Sequence, residues 1–173
     1  MKRGWLAGML ALFAAGGARG IEPGAPAPDF SAQATGGQTV TLAGLRGGWV
    51  VLFFYPRAFT PGCTAQACSL RDGYAEIQAL GATILGASLD SLERQERFKA
   101  EHRLPFDLIA DADGEVARRF GVLGLGGRMA RRVTFLIDPE GRVAEVIGRV
   151  RTGNHEAQVR EALAALQEAR EAE

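Results

Sequence analysis

The 173-residue chain is 47% hydrophobic and 23% charged, with a formal net charge of zero. This composition suits one compact domain with a single core and argues against a disordered or fibrous polymer. No lysine or arginine block is long enough to make the basic stripe that nucleic-acid binding requires, so no polyanionic partner is expected.

Lys2 and Arg3 precede an apolar run from Trp5 to Ala15, followed by the small residues Gly16, Gly17 and Ala18. The pattern reads as a secretory signal peptide over residues 1–20, cleaved after Ala18 or Gly20, because the run falls short of the ~20 apolar residues of a membrane span. An uncleaved anchor and a cytoplasmic location are the alternatives; no stable membrane association is expected after processing. No cysteine lies near the cleavage site, which argues against lipid attachment. Cleavage after Gly20 removes Lys2, Arg3 and Arg19 and leaves 17 basic and 20 acidic residues, a net charge of −3. Export would place both cysteines in an oxidising compartment, where a structural disulfide is the default reading.

Residues 21–173 read as one α/β domain. Pro23, Pro26 and Pro28 make an extended lead-in, and Thr39 to Leu42 alternates as a short outer strand. Trp49 to Tyr55, WVVLFFY, is continuously apolar, as expected of a central strand covered on both faces, and it stops at Pro56. Apolar residues at helical spacing predict a helix from about Cys63 to Leu80, ended by Gly81. Thr83 to Ser88 is a second buried strand. Asp90 and Glu93 form a candidate capping box for a charged helix from Ser91 to His102, whose Glu93 to Glu101 stretch reads as a solvated face with i, i+4 pairs. Phe106 to Ile109 is a third candidate strand, Asp113 and Gly114 turn into a short helix ending at Phe120, and a glycine-rich loop spans Gly121 to Gly127. Val133 to Ile137 and Arg142 to Ile147 form a hairpin through the type I turn sequence Asp138, Pro139, Glu140, Gly141. Asn154 is positioned to cap a terminal helix through Leu166. The alternation predicts an α/β sandwich around a mixed sheet.

Cys63 falls where the apolar strand's carboxyl end meets the next helix, a common place for reactive groups in such sheets. Open N–H groups in a helix's first turn, and nearby cations, shift a cysteine toward its nucleophilic thiolate. Cys68 lies five residues on in the same predicted helix. At 1.5 Å rise and 2.3 Å radius the two Cα atoms are about 8.6 Å apart, beyond the ~7 Å limit for a disulfide. A bond between them requires local unwinding, which suits a cycling bond better than a permanent staple.

Pro56, Thr60 and Cys63 reproduce the P-x-x-x-T-x-x-C signature of peroxiredoxins, and FFYPRAFTPGCTAQACSLRD resembles the bacterioferritin comigratory protein, or peroxiredoxin Q, subfamily. The likeness runs from about Pro26 to Leu166, through FGV at Phe120, RVTFLID at Arg132 and TGNH at Thr152. The resemblance implies a thioredoxin-like fold and a thiol peroxidase that reduces hydrogen peroxide and organic hydroperoxides without a cofactor. It makes Cys63 the peroxidatic cysteine and Cys68 the resolving one, with the disulfide between them reduced by a thioredoxin-like protein. Thr60 would hydrogen-bond the thiolate and peroxide, and Pro56 would shield the site. The family's arginine aligns best with Arg132; Arg131 is adjacent and only one of the two can enter the pocket, with Arg132 preferred because Thr134 would share its face. The segment from Val122 to Arg132 is shorter than in the subfamily. With both cysteines in one helix, a monomer is the simplest state.

Other readings compete. A thioredoxin-type disulfide oxidoreductase needs C-x-x-C, and the spacing here is C-x-x-x-x-C. A redox-sensing or chaperone-like binding role is a different class, since a sensor need not turn over peroxide with excess reductant. The two cysteines with His102 and His155 do not fit zinc-ligand spacing, and both histidines read as solvated. Gly121 to Gly127 lacks the lysine and the strand-to-helix context of a phosphate loop.

Overall fold

The computed structural model describes residues 20–173; the leader pattern, except Gly20, lies outside them. Among the described residues the sheet has seven strands: β1 Ser31–Ala34, β2 Gln38–Thr41, β3 Trp49–Phe54, β4 Ala82–Ser88, β5 Asp107–Ala110, β6 Val133–Ile137 and β7 Val143–Ile147. Their order is β2-β1-β5-β4-β3-β6-β7. β3 runs parallel to β4 and β4 to β5, while β6 and β7 are antiparallel additions on the other side of β3. The helices are α1 Pro61–Asp72, α2 Tyr74–Ala79, α3 Leu92–His102, α4 Glu115–Arg119 and α5 His155–Glu171.

The apolar run of β3 is explained by its two neighbours. Val50, Leu52 and Phe54 pack into one core with α4 and the lead-in residues Ala27 and Phe30. Trp49, Val51, Phe53 and Tyr55 pack into the other with α1, α2, α3 and α5. Alternate side chains therefore serve opposite layers, as the period of two dictates. Gly86 on β4 permits the close approach of β3 and β5, since a Cβ there would lie 2.7 Å from both Phe53 and Leu108. The hairpin forms as expected: Gly141 takes φ 82°, and Asp138 Oδ1 accepts from the N–H groups of Glu140 and Arg142 at 3.0 and 2.9 Å.

Several expectations are corrected. β1 lies in a stretch that periodicity did not flag, being short and mostly exposed. The single helix over 63–80 begins two residues earlier, at Pro61, whose fixed φ and missing N–H suit a first helical position. It is also two helices, broken at Gly73, where a Cβ would sit 2.6 Å from Glu156 of α5. Asp90 and Glu93 make no capping box; Ser91 is the N-cap and accepts from Arg94 N. The charged face of α3 is not simply solvated, since Gln95 and Phe98 are buried and Arg94 and Lys99 pair with Asp90 and Asp107. Asn154 occupies the N-cap position of α5 without a side-chain cap bond, and the helix runs five residues past Leu166. Within Gly121 to Gly127 the chain is tied into a small loop, with Gly124 N donating to Met129 O at 2.8 Å.

Candidate active site

The site is built at the carboxyl end of β3. After Phe54 the chain turns through Pro56 to Thr60, with Phe59 at φ 68°, and α1 opens at Pro61. Cys63 is the third helical residue and is 1% exposed. Because Pro61 has no N–H, Gly62 and Cys63 supply the open donors of this turn, directed at whatever anion forms there.

Antiparallel pairing of Phe54 with Val133 carries the residue before β6 over the end of β3. That residue is Arg132. Its Nη2 lies 3.4 Å from Cys63 Sγ, and its Nη1 donates to Gln66 Oε1 at 2.6 Å. A charged donor at this distance stabilises a thiolate more than the neutral thiol. Arg131 points away, exposed, with Nη2 donating to Gly121 O at 2.7 Å. The alternation of faces expected from sequence is therefore realised, and Arg132 is the arginine beside the sulfur.

Two residues of this arrangement were not singled out by sequence. Gln66 is fully buried and holds the guanidinium; its position three after Cys63, hence on one helical face, was the available signal. Gly62 leaves room for it, since a Cβ there would be 3.2 Å from Arg132 Nη2. Thr60 is placed beside the site, at the N-cap position of α1, but its hydroxyl donates to Arg57 O at 2.8 Å rather than to Cys63. Its single proton is committed there, leaving the oxygen free to accept. Pro56 is half-buried at the start of the same turn, and Cys68 is half-buried with both thiols free. Since α1 is helical from Pro61 to Asp72, the ~8.6 Å helical separation of the cysteines applies.

Behind the arginine, Thr134 and His155 are both fully buried, which corrects the reading of His155 as solvated. Its Nε2 lies 2.9 Å from Thr134 Oγ1 and its Nδ1 3.1 Å from Gln158 Oε1. An amide oxygen only accepts, so Nδ1 carries the proton and Nε2 accepts from Thr134. Burial pulls the His155 pKa down to about 4; the Gln158 bond opposes the shift and the charge of Arg132 adds to it. His102 is half-buried, with its ring against Phe59 and Phe98.

The chain is similar to known proteins over most of its length. The AhpC/TSA family profile matches residues 23–146. Peroxiredoxin Bcp of Bacillus subtilis is 39% identical over 149 residues, covering 83% of this chain and 95% of the relative. The crystal structure of peroxidoxin BcpB from Mycobacterium tuberculosis is similar with a TM-score of 0.77 and 36% identity, over 84% of this chain and 97% of that one. A Xanthomonas campestris bacterioferritin comigratory protein, whose structure is described in connection with alkyl peroxide reduction, is similar with a TM-score of 0.74 and 33% identity, over 79% of this chain and 90% of that one.

Proposed function

The chain belongs to the AhpC/TSA family and is a thiol-dependent peroxidase of the peroxiredoxin class, and we propose that Cys63 is its nucleophile and Cys68 the residue that closes the disulfide. The supporting observation is the Arg132 guanidinium 3.4 Å from a buried thiol in the first turn of a helix. The Cys63 thiolate attacks the terminal oxygen of the hydroperoxide, the O–O bond breaks, and an S–O bond forms. The leaving oxygen takes a proton to become water or an alcohol, and Cys63 becomes a sulfenic acid. Arg132 and the open N–H groups of Gly62 and Cys63 favour the charge that moves from sulfur to the leaving oxygen. Thr60 supports the peroxide by accepting its O–H, and Pro56 covers the turn beside it.

Cys68 then condenses with the sulfenic acid, releasing water and leaving a Cys63–Cys68 disulfide. A thioredoxin-type dithiol protein, the reductant the family implies, restores both thiols by exchange. Organic hydroperoxides join hydrogen peroxide as substrates on the strength of the Xanthomonas relative. The pattern of residues 1–20 supports export with removal of a leader, and both cysteines in one helix require no second subunit. N-terminal sequencing of exported protein should begin near residue 19 or 21; recovery of Met1 would overturn the leader.

The deciding experiment is peroxide consumption with an excess of dithiol protein. Cys63→Ser should abolish turnover, since a hydroxyl cannot replace a thiolate at neutral pH. Cys68→Ser should complete one reduction and stall with Cys63 as sulfenic or more oxidised sulfur, visible by mass. Substantial turnover by Cys63→Ser, or Cys63 unmodified after peroxide, defeats the assignment. A sensor, by contrast, need not turn over peroxide with excess reductant.

A further inference from the structure

The turn that presents Cys63 is gripped from the side by the connection between β4 and α3. Asp90, with a side chain only 7% exposed, accepts at Oδ2 from Ala58 N at 2.8 Å and from Ser88 Oγ at 2.6 Å. Arg94, one helical turn on, sets its Nε 3.1 Å from Asp90 Oδ1 and donates from Nη2 to Ala58 O at 2.8 Å. One ion pair thus occupies both backbone polar groups of Ala58. The same guanidinium lies over the Phe59 ring, 5.1 Å from its centroid. Phe59 sits at φ 68°, a conformation that bulky L residues adopt only where their surroundings enforce it. The network continues into the core: Gln95 donates to Ser88 Oγ at 2.9 Å and accepts from the Tyr55 hydroxyl. The residues flanking the turn and the turn itself are therefore held as one unit.

The geometry points to Asp90 and Arg94 as positioning residues for both halves of the reaction, holding the Pro56–Thr60 turn while peroxide is reduced and releasing it when the disulfide closes. This rests on the assignment of Cys63 and Cys68 above. Neither residue contacts the sulfur, yet Ala58 stands only five residues before Cys63. Among the described residues, apart from the bond of Thr64 N to Thr60 O at 2.9 Å that opens α1, the hydrogen bonds from residues 56–60 to other parts of the fold run through Ala58. Closing the disulfide unwinds the start of α1, so the clamped turn must yield or resist. Hydrogen bonds and a partly exposed ion pair can open and re-form without exposing apolar surface, which suits a tether cycled at each turnover.

The consequence is a partition. The Cys63 sulfenic acid either condenses with the Cys68 thiol, losing water, or takes an oxygen from a second hydroperoxide, which leaves as water or alcohol, and becomes a sulfinic acid. A closed clamp holds Cys63 in place for the second peroxide; an open one favours the disulfide.

The test compares wild type with Asp90→Asn, Arg94→Ala and Arg94→Lys, with Arg97→Ala on the exposed side of α3 as control. Single-turnover mass spectrometry measures the first oxidation and the sulfinic-to-disulfide ratio at increasing peroxide. Arg94→Ala and Asp90→Asn should slow the first step about tenfold and lower the sulfinic-to-disulfide ratio about tenfold, as loss of a charge-assisted bond predicts. Arg94→Lys, which keeps the charge without the planar fork, should fall between, and Arg97→Ala should match wild type. An unchanged ratio in folded Asp90→Asn and Arg94→Ala overturns the proposal. Amide exchange of Ala58 in wild type tests it without any variant: protection should fall in the disulfide form, and equal protection in both forms also overturns it. Failure of the underlying assignment looks different, as wild type would then form no Cys63–Cys68 disulfide at all.

Discussion

At its first turn α1 carries Pro61, Gly62 and Cys63 and receives no side-chain cap. At its far end, Leu70 and, beyond the Gly73 break, Ile77 are fully buried. Arg71 donates to His102 O at 2.9 Å, and Ser69 Oγ accepts from Glu156 N at 3.1 Å. The near end thus joins the small buried side chains of Cys63 and Ala67 to uncapped N–H groups and polar contacts that can exchange partners, while the far end is anchored by the large apolar side chains of Leu70 and Ile77, which cost more to expose. The same uncapped N–H groups that welcome an anion at Cys63 leave that turn easy to unwind. On the proposed role of Cys63, reactivity and unwinding share one cause, and the unwinding is expected to stop at Leu70.

Two substitutions break the comparison from opposite ends. Arg132→Ala removes the charged donor at the near end and should slow the peroxide step by about 10² to 10³, the usual cost of losing one preorganised donor. Arg131→Ala, whose side chain turns to Gly121, should change it little. Rapid-mixing kinetics decides, and the reverse order would show that the wrong guanidinium was assigned. Leu70→Ala at the far end should cost about 3 kcal/mol of stability in urea unfolding, the cavity cost of a fully buried leucine. Its peroxide step in the folded fraction should remain near wild type; a loss comparable to Arg132→Ala would mean that the two ends are not independent.

Sequence made the near end legible and the far end only partly so. WVVLFFY announced a strand covered on both faces because its apolar run is continuous, and Cys63 followed from the strand-to-helix junction. Arg132 followed from a resemblance together with strand alternation, which the pairing of Phe54 with Val133 realises. The Gly73 break was hidden because its cause is tertiary, the closeness of Glu156 on α5. Asp90 was misread as a cap because local propensity favours it there, while its actual partner, Ala58, lies 32 residues away. Gln66 and His155 were missed or misplaced for a like reason: a polar side chain reads as solvated unless its buried partners are known.

His155 sharpens the comparison through pH, since α5 supports the far end through the bond of Glu156 N to Ser69. Its pKa is lowered to about 4 in the folded protein, from an ordinary 6.5. As pH falls below 6.5 the unfolded chain takes up this proton first, so the contribution is full above 6.5, declines toward pH 4, and falls no further below it. Lowering the pH from 7.5 to 5 should therefore remove about 2 kcal/mol through this residue. Asp111, raised by burial, acts in the opposite sense. The difference between wild type and His155→Gln in urea unfolding at the two pH values isolates the histidine, and equal losses in both proteins would exclude it.

The smallest effect expected is also the most local. Oxidation must bring Cys63 and Cys68 closer than the ~8.6 Å of a regular helix, since a disulfide spans at most about 7 Å. α1 is helical across both cysteines, so some of its hydrogen bonds must open in the disulfide form. Apolar burial decides how far the opening spreads. Leu70 is fully buried, and Ile77 in α2 is separated from the moving turns by the Gly73 break. Exchange should accordingly be about tenfold faster from Cys63 to Ser69 in the disulfide form, ~1.4 kcal/mol of lost protection, with little change from Tyr74 to Ala79. Uniform acceleration through Ala79 would show that the far end is not an anchor. Unchanged protection from Cys63 to Ser69, with the Cys63–Cys68 bond confirmed by mass, would show that the bond is accommodated without opening the helix and would remove the contrast between its two ends.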